Sequence, residues 1–371
     1  MPPELLVATR KGLFQIQRTG TNGSPWTITQ VSFLGDNVGA IAEDPADGTL
    51  IAGLNLGHFG SKVRTSTDRG RTWTDVATPE YPPKPEDEID NDPFRNTPRL
   101  WKLEMIWCLE AGHGQLWCGT LPGGLFRSDD QGRSWTFIRS LWDQPDRKRW
   151  FGGGYDFPGI HSILLHPTDR QKISVGVSCG GVWHSQDNGS QWRLTGQGMV
   201  ADFMPPEMQH DAAVQDPHRV VSPPTQPERL WVQHHGGIFR SDNGGQSWVG
   251  ITAPQPSGFG FAVAVHPKKP DTAWFVPAKK DECRVPVDGQ MIVTRTDDAG
   301  QTFRSLRNGL PQSGAYDLIY RHALDVDATG DCLAMGSTTG SLWISENGGE
   351  DWLTVSQHLP PIYATRFSKR S

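Results

Sequence analysis

Ser66-Thr67-Asp68-Arg69-Gly70-Arg71-Thr72-Trp73 decides the fold, because its pattern, Ser/Thr-x-Asp-x-Gly-x-x-Trp/Phe, returns throughout the chain. Further copies run from Ser128 to Trp135, Ser185 to Trp192, Ser241 to Trp248, Thr296 to Phe303 and Ser345 to Trp352. Asn243 and Asn347 replace the Asp in two of them, and a decayed copy stands at Arg18-Thr19-Gly20-Thr21-Asn22-Gly23-Ser24-Pro25-Trp26. The chemistry is that of a tight hairpin. The Asp or Asn side chain accepts backbone N–H groups, and Gly supplies the positive φ that the turn requires. The terminal Trp or Phe then enters the next strand and packs between sheets. A short strand opened by glycine precedes several boxes, as in Gly123-Gly124-Leu125-Phe126-Arg127 and Gly236-Gly237-Ile238-Phe239-Arg240.

From Trp26 to Trp352 the repeats average about 54 residues, more than the roughly 40–45 of a minimal four-stranded propeller blade. Each repeat therefore holds four strands and inserted loops. The N-terminal segment offers only three strands, while Tyr363-Ala364-Thr365-Arg366-Phe367 reads as a strand with no box of its own. The predicted fold is an all-β, seven-bladed propeller of one domain, residues 1–371, in which the last strand completes the first blade and suppresses open edges. The 42 Gly, 29 Pro and 15 Trp, against 36% hydrophobic residues, suit many short strands and turns with a few large packing anchors.

These boxes resemble those of the Asp-box, or bacterial neuraminidase repeat, propellers, a superfamily that includes sialidases, sortilin-type receptors and a photosystem assembly factor. The resemblance implies the fold and says little of function. A sialidase of this superfamily needs three arginines, a Tyr–Glu nucleophile pair and an acid Asp, and usually a Phe/Tyr-Arg-Ile-Pro segment before the first box. Here the N-terminal arginine lies in Ala8-Thr9-Arg10-Lys11-Gly12, and Tyr316 has no assignable Glu partner. Sialidase activity is not expected.

A net charge of −6 and a pI near 6.0 argue against a nucleic-acid partner. The start Met1-Pro2-Pro3-Glu4 lacks a basic and then apolar leader, and no apolar run approaches the roughly 18 residues of a membrane span. Five scattered cysteines fit a reducing compartment, with Cys108, Cys118 and Cys332 as small core residues. A soluble, cytoplasmic protein without a membrane partner is expected.

With strands A to D numbered from the axis outward, the boxes are C–D turns. The A–B turns, marked by Asp44-Pro45, His166-Pro167 and His266-Pro267, share their face. The B–C turns and the D–A links between blades lie on the other face, where the chain spends its extra length, at about 74–103, 136–160, 193–218 and 277–290. Such loops are commonly site walls or lids.

Polar residues gather on that non-box face: Arg10, His58, Cys179, His234, His235, Lys280 and Arg284 at B–C turns, Glu104, His161 and Tyr316 at starts of inner strands, and His210 and Asp211 in the third insert. Three roles are open to the histidines, one of them metal-free acid–base catalysis. They hydrogen-bond the inserts around a water-filled channel, or His161, His210, His234 and His235 hold a divalent transition metal, Zn or similar. On the metal-binding reading the protein is an enzyme for a small polar or anionic substrate, such as a sugar derivative, working by metal-assisted hydrolysis or elimination. Glu104, Asp211 and Tyr316 would then move protons, and Arg10, His58, Lys280 and Arg284 would bind substrate. The competing reading is a non-catalytic scaffold, whose mark would be a broad apolar docking patch of Trp142, Trp150, Phe151 and Phe157.

Overall fold

Each box closes on its own side chains. Ser66 Oγ donates to Asp68 Oδ1 (2.8 Å) and accepts the Gly70 amide (2.7 Å), while Asp68 Oδ1 accepts the Thr72 amide (2.9 Å). The same three contacts recur around Ser128, Ser185, Ser241, Thr296 and Ser345. Hydrogen bonds from Thr72 and Ser134 hold the Asp68 and Asp130 carboxyls down at about 2. The turn needs two left-handed residues in succession: Arg69 (φ 61°) and Gly70 (φ 77°) in the first box. Where Asn replaces Asp, both positions are glycine, Gly244-Gly245 and Gly348-Gly349.

The structure is a computed structural model that describes residues 4–18, 20, 24–252 and 254–369. Thr19 and Thr21 to Gly23 of the decayed copy lie outside these. The described residues form seven four-stranded antiparallel sheets arranged as the blades of a propeller. Blade I is built from both ends of the chain, in the order Ile362–Phe367, Glu4–Thr9, Gly12–Arg18, Trp26–Ser32. Val7 lies opposite Thr365 on one side and Phe14 on the other. The inner strands of blades II to VII are Val38–Glu43, Met105–Gly112, Gly159–Leu165, Pro217–Val221, Gly260–Val265 and Leu324–Val326, each packed on the next around the axis. Between the blades lie Trp117, Trp183, Trp231, Trp274 and Trp343, all fully buried. Flat rings of this size fill the wedge between two twisted sheets.

The box face also carries the proline turns, as expected. His166 Nδ1 accepts the amides of Thr168 and Asp169 (3.3 and 3.1 Å), and His266 Nδ1 those of Lys268 and Lys269 (3.0 and 3.2 Å). Both are turn caps.

On the opposite face run the links 77–104, 138–158 and 196–216 and the loop 278–292. The three links are shorter than the sequence suggests, because outer strands such as Thr74–Val76 and Arg193–Thr195, and inner strands opening at Gly159 and Pro217, absorb the margins. The links and the loop also hold helical turns at Arg139–Trp142, Pro145–Arg149, Ala212–Val214 and Val287–Gly289. Asp90 staples the first link to the second. Its fully buried carboxylate accepts from Arg99 Nη1 (2.7 Å), Arg147 Nη1 (2.6 Å) and Trp101 Nε1 (2.8 Å). Arg99 Nη2 continues to the Trp150 carbonyl (2.6 Å) and Arg147 Nε to that of Trp142 (2.8 Å). No helix among the described residues is long and apolar enough to cross a membrane.

Candidate functional site

The staple holds residues 151–155 over the non-box mouth of the propeller, where a cavity of about 530 Å³ opens. That is the size of a small-molecule site. Its walls are aromatic: Trp107 on the inner strand of blade III, Phe151 and Tyr155 on the second link, Phe261 on blade VI, Tyr320 on the link into blade VII and Tyr363 at the closing strand. Tyr155 meets Trp107 edge-on, with ring centroids 5.2 Å apart. Gly153 lets the link lie down here, since a Cβ on it would sit 2.5 Å from Cys179 Sγ.

The polar groups form two sets. The first is Asp216, His218 and His235. Asp216 precedes the inner strand of blade V, His218 is in it, and His235 follows the next strand, so antiparallel pairing brings the three together. Asp216 Oδ2 is 3.4 Å from His218 Nε2 and 3.5 Å from His235 Nδ1. The other oxygen, Oδ1, accepts the Cys179 amide (3.0 Å) and Ser178 Oγ (3.3 Å). His218 Nδ1 lies 2.6 Å from the Gly260 carbonyl oxygen, and its ring stacks on Phe261 at 4.4 Å. Burial alone would push the Asp216 carboxyl up, but the two imidazoles bring it well below the usual range. Burial depresses His218. Burial also opposes charge on His235, but hydrogen bonding to and the charge of Asp216, with Asp281 and Asp202, carry its pKa above the ordinary histidine value.

The second set is cationic. Arg321 is only 8% exposed, and its guanidinium lies over the rings of Trp107 (4.9 Å) and Phe261 (5.5 Å). Its Nε has no hydrogen-bond partner, and no carboxylate among the described residues pairs with it. Burial pulls its pKa below the ordinary arginine value, offset in part by Asp216. Arg284 lies nearby, over Phe261 at 5.4 Å, with Nη2 2.5 Å from Asp281 Oδ1.

Of the residues singled out in the sequence, Cys179, His235 and Arg284 line this cavity, as does Phe151 of the expected docking patch. The rest lie elsewhere for definite reasons. His234 points the other way, as successive strand residues must, and its Nε2 and Nδ1 face the amides of Asp216 and Gly236, both at 3.0 Å. His161 is buried behind Trp107 with Nδ1 2.9 Å from Ser162 Oγ. His210 is exposed on its link and outside the cavity. The four histidines therefore do not converge on one metal.

Asp211 caps the Ala212–Val214 turn by accepting the Ala213 amide (3.0 Å) and pairs with Arg149. Glu104 is exposed ahead of its strand. Tyr316 is 71% exposed, since the inner strand of blade VII begins only at Leu324. Arg10 is exposed, His58 lies tilted against Phe59 at the surface, and Lys280 pairs with Glu282 (3.4 Å), away from the cavity. Trp142 and Trp150, offered as a docking patch, are buried. Trp142 carries the Arg147 guanidinium on its ring, 4.2 Å from the centroid, and Trp150 packs on Trp183.

Asp216, His218 and Arg321 are functional candidates that the sequence reading passes over. A signal existed for the first two: Asp216-Pro217-His218 opens an inner strand, and residues two apart share a face.

No protein-family model matches the chain. A probable oligoxyloglucan-reducing end-specific xyloglucanase of Neosartorya fischeri is 26% identical over 360 residues, 88% of this chain and 40% of the relative. The oligoxyloglucan-reducing end-specific xyloglucanase of Emericella nidulans is 24% identical over 219 residues, 55% of this chain and 24% of its own length. Among solved structures, the GH74 xyloglucanase from Xanthomonas campestris superposes with a TM-score of 0.61 at 17% identity, over 96% of this chain and 56% of that one. The chain thus spans less than half the length of the curated relatives it matches, and the structural likeness is one of propeller fold.

Proposed function

We propose that the protein is a carbohydrate-active enzyme whose substrate is an oligosaccharide or sugar derivative bearing an acidic group, bound in the cavity on the face away from the boxes. One observation carries this reading: a cavity walled by flat aromatic rings holds a buried guanidinium, that of Arg321, with no carboxylate among the described residues paired to it. Ring faces suit the C–H faces of pyranose sugars, and an arginine fork suits a carboxylate or phosphate. Keeping a buried cation unpaired is costly, and an anionic ligand removes that cost. The two xyloglucanases to which the chain is similar support a sugar as the ligand class.

In this reading Arg321 binds the acidic group, with Arg284 available once it releases Asp281. Trp107 and Tyr155 hold the sugar ring, and Asp216, His218 and His235 face the bond to be broken. All five cysteines are free and four of them buried, which supports placing the protein in a reducing compartment such as the cytoplasm.

The test is binding followed by turnover. Uronic-acid-containing, phosphorylated and neutral oligosaccharides, xyloglucan fragments among them, are titrated against the protein while tryptophan fluorescence and heat are recorded. Products are then sought by mass spectrometry. Acidic sugars should bind more tightly than their neutral counterparts and be cleaved. Equal affinity for neutral and acidic forms, or binding unchanged in Arg321→Ala, sinks the proposal.

A further inference from the structure

We propose that Asp216, His218 and His235 form a binding site for one divalent transition-metal ion, with its open position facing the cavity. This rests on reading that cavity as the functional one, and it replaces the four-histidine arrangement suggested by the sequence.

The argument is geometric. One carboxylate oxygen and one nitrogen from each imidazole all lie within 4.8 Å of one another. If these were simple ion pairs, the N–H to carboxylate distances would close to about 2.7–2.9 Å, the range of charge-assisted hydrogen bonds. They stand at 3.4 and 3.5 Å instead. An ion with bonds of about 2.0–2.1 Å to tetrahedral ligands sets those ligands about 3.4 Å apart. Both distances fit ligand atoms of one small ion.

The surroundings agree. A carbonyl oxygen only accepts, so the 2.6 Å contact between His218 Nδ1 and Gly260 requires the proton on Nδ1. Nε2 is then the nitrogen left facing Asp216 and the cavity side of the cluster, and so the one available to a metal ion. A metal-bound histidine characteristically donates its other N–H to a carbonyl or carboxylate. Asp216 is fixed in the same way: Oδ1 is occupied by the Cys179 amide and Ser178, and Oδ2 alone is turned to the imidazoles. Two imidazoles and one carboxylate suit Zn, Fe(II), Co or Ni and not Mg or Ca. A fourth position open to the cavity is the mark of a catalytic rather than a structural ion.

Protein stripped with chelator is titrated with ZnCl2 by calorimetry and, separately, with Co(II), whose visible absorption reports coordination number. The expected result is one ion per chain and a four- or five-coordinate Co(II) spectrum that Zn abolishes. Binding should be at least about 100-fold weaker in His218→Ala and in His235→Gln, with circular dichroism showing that both remain folded, and unchanged in His210→Ala. His235→Gln guards against misfolding of the more buried His218 variant. Absence of saturable binding, a six-coordinate Co(II) spectrum, or undiminished affinity in folded His235→Gln overturns the inference. Metal binding without any sugar turnover would leave this site standing and count only against the carbohydrate reading. Full turnover by stripped protein that binds no metal would do the reverse.

Discussion

Replacing Asp90 by Ala removes the staple between the first two links, and its cost follows from the contacts. Three hydrogen bonds are lost, and the guanidiniums of Arg99 and Arg147 are left buried without their shared counter-ion. Removing one partner of a buried ion pair costs about 3–5 kcal/mol. Arg99 and Arg147 keep their bonds to the Trp150 and Trp142 carbonyls, so the lower end, about 3 kcal/mol, is expected. The links lie outside the blades, and the loss should appear as local opening more than as global unfolding. Amide hydrogen exchange followed by mass spectrometry should then quicken by roughly 100-fold in segments 77–104 and 138–158, at 1.4 kcal/mol per factor of ten, while the blade strands keep their protection. Ligand affinity at the cavity should fall in parallel, because residues 151–155 are held by this staple. Asn at position 90 keeps the shape and part of the hydrogen bonding and should fall between. Exchange rates in both links unchanged in Asp90→Ala, with the protein folded, would refute the idea that this carboxylate positions the cavity wall.

Arg321→Ala should weaken binding of an acidic sugar by about 10- to 100-fold, the value of one or two charge-assisted hydrogen bonds, and leave a neutral analogue nearly unaffected; calorimetry with both ligands decides. Asp130→Ala should lower the unfolding temperature slightly and leave cavity binding intact, since the box is on the other face; loss of binding in a stable variant would mean that the faces are wrongly assigned. The boxes also set an acid limit. The Asp68 and Asp130 carboxyls fall to about 2 in the folded chain, so their stabilisation is complete above the unfolded value of about 4 and is lost as pH falls through about 2. Melting temperatures measured from pH 5 to 2 should decline, and less steeply in an Asp68→Asn, Asp130→Asn variant.

The parts of the structure legible in sequence are those with local chemistry. A box satisfies itself within seven residues, Ser66 to Thr72, so its pattern survives whatever the blade packs against. Ring closure follows from counting strands, and the two faces from the alternation of strand direction. The site was less legible because its geometry depends on which way a side chain turns at a strand end. His234 and His235 are adjacent, and only one of them can face the cavity. Arg321 was hidden for a different reason. Blade VII has an inner strand of only three residues, Leu324–Val326, so no alternating run announces where its link ends, and Tyr316 took the place that belongs to Tyr320 and Arg321.

Blade I joins the first strand of the chain to the last, with Ala8 directly opposite Ala364. During synthesis the inner edge of Glu4–Thr9 emerges well ahead of Ile362–Phe367 and waits, unpaired, until that strand is made. At about 5–20 residues per second the nascent chain spends on the order of 20–70 seconds with that edge open. Such an edge invites strand addition from neighbouring chains. The blade therefore depends on its surroundings most before Ile362–Phe367 is made, and a fault in that strand will first be felt at Glu4–Thr9.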